Sequence, residues 1–411
     1  MDRRSLLFGS AGLLGGLVLT SAEARARGAL RLRGSFGARR ETAPPRLILV
    51  QLAGGNDGLN TVIPLEDDAY HRARPELRTA ADDARAIGDG FGFHSSLEGL
   101  HRHFHEGRVA VVHGVGYPDP NLSHFKSTDI WHTARATGRL SGPGWVGRLC
   151  QILHDTQVRP ERVVHVGTSL PYALYSTLHP AVAFSAPRDY RFARHGDDAS
   201  RVGTGAMERS SGGEPSRLGF LREVMRDAHS SSDAIRSAIG DHATRVEFPD
   251  SPLGTSLSMV SALVESDLGC EVLSVELGGF DTHNNQLGRQ RTNLAELDGA
   301  VSALLDELSQ MPGAERTLVL ISSEFGRRVA ENGSGGTDHG TAAPVFVCGP
   351  AARGGQFGRA PSLTDLDGRE NLIQTTDFRR IYASVVEDLF GAKSEAVLGG
   401  RYKPLKLVAK A

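Results

Sequence analysis

Cysteine is scarce: Cys150, Cys270 and Cys348 are the only three in 411 residues. They stand far apart with no CxxC or CxH group, which excludes a disulfide scaffold and argues against a thiolate zinc site or a redox dithiol. Cys270 and Cys348 lie in apolar runs and read as buried free thiols. A charge excess is also missing, since 46 Lys and Arg face 48 Asp and Glu for a formal charge of -2. Nucleic-acid binders carry a concentrated basic face, so no nucleic acid is expected as a partner. There is no Gly-x-x-x-x-Gly-Lys-Ser/Thr run and no strand-borne Gly-x-Gly-x-x-Gly, so a nucleotide cofactor has no support. Gly-x-Ser-x-Gly is missing around Ser123, which weakens a nucleophile-elbow reading.

What is present begins with an address. Arg3-Arg4 precedes Ser5-Leu6-Leu7, a Gly/Leu/Ala stretch runs to Leu19, and small residues offer cleavage after Ala24 or Ala26. This pattern over residues 1–26 resembles a twin-arginine export signal. Its apolar middle of about 14 residues is shorter than the ~20 needed to cross a bilayer. A periplasmic or other extracytoplasmic location is expected, with no membrane span after signal removal. Residues 27–45 are basic, Gly/Ala-rich and end in Pro44-Pro45, the composition of a linker.

A single domain is expected over 46–411, and 39% hydrophobic with 23% charged residues suits a folded chain. Leu47–Leu52, Val109–Val112, Val272–Leu277 and Leu318–Ile321 are short Val/Leu/Ile-rich runs that read as buried strands, with Pro344–Cys348 as a fifth. Helical spacing marks Leu97–His105, Leu218–Ala228, Leu257–Asp267, Thr292–Leu308 and Phe378–Leu389. The alternation predicts an α/β fold: a doubly wound, mostly parallel sheet with helices on both faces. The polar, aperiodic stretch near 191–217 reads as a mobile insertion.

Each main strand ends in a polar cluster: Gly54-Gly55-Asn56-Asp57-Gly58, then Asp281-Thr282-His283-Asn284, then Ser322-Ser323-Glu324-Phe325-Gly326-Arg327. In open α/β sheets the ligand crevice lies beyond the carboxyl ends of the strands, so these clusters are expected to converge. Asp281 and His283, two apart, share one side of an extended chain and can reach one ion. Asp338-His339 in a Gly-rich run and Asp57 between glycines add candidate ligands, although each also fits turn chemistry. Oxygen and nitrogen donors without thiolates suit zinc first, with manganese, magnesium and calcium also open. Ser123 opens a predicted helix, Phe125–Thr133, and reads either as a nucleophile beside helix N–H groups or as a plain N-cap. Arg327 reads as a forked anion clamp or as a solvated surface residue. Of His94, His101, His103 and His105, only His101 and His105 share a helix face, and all four read as surface residues.

Taken together, Val50-Gln51-Leu52-Ala53-Gly54-Gly55-Asn56-Asp57, Asn121-Leu122-Ser123-His124-Phe125, Gly278-Gly279-Phe280-Asp281-Thr282-His283, the Glu324–Arg327 cluster and Thr337-Asp338-His339-Gly340 resemble the family called domain of unknown function 1501. The resemblance runs from about Arg46 to Gly399-Gly400-Arg401-Tyr402-Lys403-Pro404. That family looks like a branch of the alkaline phosphatase and sulfatase superfamily, which implies a metal site at the strand carboxyl ends. It implies Asp57 as the opening metal ligand, Ser123 as the group-accepting residue, and Asp281, His283 and His339 as ligands of one metal. Glu324 would belong to a second metal, but Phe325 stands where a histidine ligand is expected. The spacing from Asp281 to His283 is also two where the superfamily usually has four.

The function these readings point to is an exported metal-dependent hydrolase of phosphate or sulfate esters, acting on an anionic small-molecule or polymer ester. Two other classes stay open. One is a non-catalytic binding or assembly protein with a protein partner, and the other a metal-independent esterase built on Ser123.

Overall fold

The computed structural model describes residues 43–136, 141–186 and 231–409. The expected signal 1–26, most of the linker 27–45, the insertion near 191–217 and the expected helix Leu218–Ala228 lie outside the described residues.

The described strands are β1 Arg46–Leu52, β2 Val62–Pro64, β3 Ala84–Gly88, β4 Phe91–His94, β5 Val109–Gly116, β6 Val163–Val166, β7 Val182–Phe184, β8 Val272–Leu277, β9 Thr317–Ser323, β10 Ala343–Cys348, β11 Gly355–Phe357 and β12 Thr376–Asp377. The main sheet has the order β11-β5-β10-β9-β1-β8-β6-β7, with β12 also on β5. β1 lies between β8 and β9, parallel to both. β6 continues in parallel to β8 and β7, while β11 and β12 lie parallel to β5. Among the described strands of this sheet only β10 is reversed, antiparallel to β5 and β9.

The continuous apolar run of β1 is what a central parallel strand requires, because both its faces are covered. Alternate residues enter two separate cores. Ile48, Val50, Leu273, Val275, Val319 and Ile321 pack against helices Glu98–His105, Pro252–Glu265 and Gln286–Gln310. Leu47, Val272, Leu318 and Leu320 pack against His124–Thr133, Trp145–His154 and Arg379–Ser384. The doubly wound α/β architecture is therefore present. Among the described residues, no helix is long and apolar enough to cross a membrane.

A second sheet, β2-β4-β3, is antiparallel and has no counterpart among the strands expected from the sequence. Its strands are short, and its hairpin turns on Asp89-Gly90, with φ of 53° and 76°. Two successive positive φ values are the requirement of a tight hairpin turn, which Asp-Gly meets.

The reversal of β10 matters for the site. The parallel strands β5, β9, β1 and β8 all end at one edge of the sheet. Because β10 runs the other way, the loop that enters it, carrying Asp338 and His339, arrives at that same edge.

Candidate metal centre

His124, Asp281 and His339 each present a ligand atom, and those atoms lie within 4.8 Å of one another. The loop after β8 supplies Asp281, the loop into β10 supplies His339, and the first residue of the helix after β5 supplies His124. His283 lies beside this set of three, against two of its members: its Nε2 stands 3.0 Å from Nε2 of His339 and 3.1 Å from Oδ1 of Asp281. Asp281 Oδ1 is also 3.3 Å from His339 Nε2, and its Oδ2 is 3.7 Å from His124 Nε2. Side-chain exposures of 49% for Asp281 and 41% for His283 leave the cluster open to solvent.

Each imidazole is held from behind. His339 Nδ1 is 2.8 Å from the Leu122 carbonyl, which can only accept, so that nitrogen carries the hydrogen. His283 Nδ1 meets Asp338 Oδ1 at 3.1 Å, and His124 Nδ1 meets Glu324 Oε1 at 2.7 Å. In the neutral rings this leaves three Nε2 lone pairs turned toward the Asp281 carboxylate. Two such lone pairs at 3.0 Å repel unless a proton or a metal ion stands between them. A ligating histidine characteristically donates its other N–H to a carboxylate or carbonyl, the arrangement seen at all three rings.

The electrostatics agree with these roles. Burial works to raise the Asp281 pKa, but the Arg327 hydrogen bond and charge bring it below the usual carboxylate value. Asp338 is held low by the Asn332 hydrogen bond and by His283, against a smaller effect of burial. Burial lowers the His339 pKa and so favours its neutral, ligating form.

The remaining residues singled out from the sequence fall in different places. Asp57 does not join the cluster. It is fully buried, and its oxygens accept from Arg74 Nη1 at 2.6 Å and Nη2 at 3.0 Å and from Gln286 Nε2, so its bonds go to these partners rather than to the cluster. Glu324, 3% exposed, reaches the site through His124, while also accepting from the Gly54 N–H at 2.9 Å and from Ser323 Oγ at 3.0 Å. It orients a ligand rather than serving as one in this arrangement.

Arg327 is neither an open clamp nor a surface residue, because its side chain is fully buried. Its three nitrogens serve five acceptors: the carbonyls of Gly55, Thr337, Gly54 and Phe280, and Oδ1 of Asp281 at 2.7 Å. It ties the loops after β1 and β8 to the loop that enters β10, and its burial keeps it from opening onto a ligand. Phe325, 3% exposed, packs its ring 4.8 Å from the ring centres of both His124 and His339.

Ser123 is exposed at the start of helix His124–Thr133, and its side chain makes no capping hydrogen bond. It sits in sequence between Leu122, whose carbonyl orients His339, and His124. Gly54 shows how closely the loops approach: a Cβ there would lie 2.3 Å from the Asp281 nitrogen.

Sequence reasoning passed over His124 as a candidate ligand. The available signal was its place directly after Ser123, in the loop that leaves β5 at the site edge. Arg74, Thr282, Gln286 and Thr337 carry no comparable signal, since their roles depend on burial.

The profile of the family described as "Protein of unknown function (DUF1501)" matches residues 44–383, and the chain belongs to that family. Among solved structures the chain is similar to a sulfatase from Pseudoalteromonas sp., at 10% identity over 89% of this chain and 72% of that one, with a TM-score of 0.40. It is also similar to the alkaline phosphatase from the Antarctic bacterium TAB5, at 9% identity over 76% of this chain and 95% of that one, with a TM-score of 0.34. No curated protein matches the chain.

Proposed function

We propose that this member of the DUF1501 family is an exported, divalent-metal-dependent hydrolase of phosphate or sulfate esters. His124, His283, His339 and Asp281 are the ligands, and Ser123 accepts the transferred group. The observation that carries this reading is the convergence of three imidazole Nε2 atoms on one carboxylate, with every Nδ1 committed elsewhere. Three nitrogens and one oxygen suit zinc before manganese, and suit the oxygen-seeking magnesium and calcium least. When bound, the ion supplies charge that stabilises the oxygens of a transferring group and lowers the pKa of a nearby hydroxyl.

The chain's own residues supply the rest. Glu324, Asp338 and the Leu122 carbonyl set the tautomers, and Arg327 holds Asp281 ionised and in place. Ser123, at the helix amino end, has an exposed oxygen beside backbone N–H groups that favour an anion. Attack of Ser123 Oγ on phosphorus or sulfur would break the ester bond and release the alcohol. Water would then cleave the seryl ester and free the anion. The export part of the reading rests on Arg3-Arg4 and the apolar stretch that follows.

The test is a panel of aryl phosphates and sulfates with metal-loaded mature protein. Ser123→Ala is expected to lose turnover while keeping its metal, and Asp281→Ala or His339→Ala to lose the metal. Full turnover in Ser123→Ala would remove the serine from the mechanism.

One observation favours a second reading, a non-catalytic exported binding or assembly protein. The Arg327 side chain is fully buried against four carbonyls and Asp281, so the guanidinium beside the cluster is not open to clamp a substrate anion. Metal-loaded protein that turns over nothing on the panel would support it.

A further inference from the structure

The ligands arrive on loops more than fifty positions apart, and one buried amide joins two of them. Gln286, the first residue of helix Gln286–Gln310, is fully buried. Its Oε1 accepts from Thr282 Oγ1 at 3.1 Å and from Thr337 Oγ1 at 2.6 Å. Thr282 lies between Asp281 and His283, while Thr337 directly precedes Asp338 and His339, and both threonines are fully buried. The same loops touch through backbone: the Thr337 N–H donates to the Thr282 carbonyl at 3.2 Å. A Cβ on Gly336 would lie 2.3 Å from the carbonyl carbon of His283.

The orientation of the amide is determined by its surroundings. Its Nε2 faces Oδ2 of Asp57, a carboxylate that Arg74 pairs and that accepts only. The nitrogen must point there, and the oxygen must therefore point at the two hydroxyls. A glutamate would set a second carboxylate against Asp57, and a methionine would leave both threonines without their acceptor.

We infer that Gln286 is a positioning residue for the metal centre: it clasps the Asp281–His283 and Thr337–His339 loops through their threonines, bringing the Nε2 atoms of His283 and His339 together. This rests on the metal-site reading above. The fully buried Arg74–Asp57 pair is the anchor against which the amide is held.

The experiment compares wild-type mature protein with Gln286→Met and with the near-isosteric double variant Thr282→Val/Thr337→Val. Zinc affinity is measured by chelator competition. Hydrogen exchange of a peptide containing the Thr337 amide is measured in metal-stripped protein, alongside its unfolding midpoint. Both variants are expected to weaken zinc binding by about 10–100-fold, the usual effect of losing an outer partner of a ligand. Combining all three substitutions is expected to add little, because they remove one interaction. Thr337 exchange should rise by more than the change in global stability explains. Affinity within about twofold of wild type, with Thr337 exchange tracking global stability alone, would overturn the clasp. Wild-type protein that binds no zinc would defeat the metal reading instead. The exchange comparison, which needs no metal, then decides the clasp by itself. If Gln286→Met does not fold, the valine pair carries the test.

Discussion

Replacing Asp57 with asparagine separates a structural aspartate from a metal ligand. The Arg74 and Asp57 side chains are both 0% exposed, joined by bonds of 2.6 and 3.0 Å. The neutral amide would leave the guanidinium charge buried without a counter-charge, with only uncharged acceptors to receive it: the new amide oxygen, the Asn60 side chain and the carbonyls of Val329 and Arg328. Breaking a buried pair from one side costs about 3–5 kcal/mol, a large part of the ~5–15 kcal/mol that holds a typical domain folded. With a urea dependence of about 3 kcal/mol per molar, the midpoint should fall by about 1 M or more. The assay is urea unfolding of metal-stripped protein by circular dichroism, paired with zinc stoichiometry under saturating metal. Stoichiometry should persist in the folded Asp57→Asn protein. Replacing the whole pair, as Asp57→Leu with Arg74→Met, should recover much of the loss, because two apolar groups need no partner. An unchanged midpoint together with lost zinc would refute the reasoning and make Asp57 a ligand.

Other substitutions probe the loops and the cores. Arg327→Lys keeps the charge but loses the fork that reaches four carbonyls and Asp281; it should destabilise the fold by about 2 kcal/mol or more and weaken zinc binding about 10-fold. Equal midpoints and affinities for the two proteins would contradict this. Gly336→Ala forces a Cβ against the His283 carbonyl, so it should part the two ligand loops and weaken zinc binding, read by the same competition assay. His165, 3% exposed, is pushed by burial from 6.5 down to about 4, against a weaker opposing hydrogen bond at Ser274. The unfolded chain then takes a proton below 6.5 that the native chain refuses until about 4. Stability is therefore unaffected above that window and lost as pH falls through it, by about 3 kcal/mol in full. His165→Asn should flatten that part of the pH–stability curve in urea titrations at about pH 7 and about pH 4.5, and an unchanged slope would count against the assignment.

How much of this was legible in the sequence follows from which physics each feature uses. The apolar runs of β1, β8 and β9 announce strands covered on both faces, and parallel strands send their following loops to one edge. The convergence of the loops carrying Gly54-Gly55, Asp281–His283 and Glu324 follows from that. Strand direction is not written in hydrophobicity, however, so the reversal of β10 could not be read, although it is what delivers His339. Arg327 and Asp57 show a second limit. A charged residue in a Gly-rich loop reads as solvent-facing or ligand-facing, yet carbonyls and a counter-ion can satisfy it completely inside the protein. The expected helix Phe378–Leu389 illustrates a third, because its apolar spacing continues while the backbone changes from an α-helix over Arg379–Ser384 to a π-helix over Val385–Leu389. Side-chain period alone does not distinguish those hydrogen-bond patterns.

The central claim is that three imidazoles and one carboxylate converge to hold a single divalent ion. X-ray absorption at the zinc edge, on mature protein loaded with one equivalent of zinc, tests it most directly. Four to five nitrogen or oxygen neighbours at about 2.0–2.1 Å are expected, the fifth being solvent at the open position a hydrolase needs, with the multiple scattering of three imidazoles, falling to two in His124→Ala. Six oxygen neighbours, or a spectrum unchanged by His124→Ala, would contradict it.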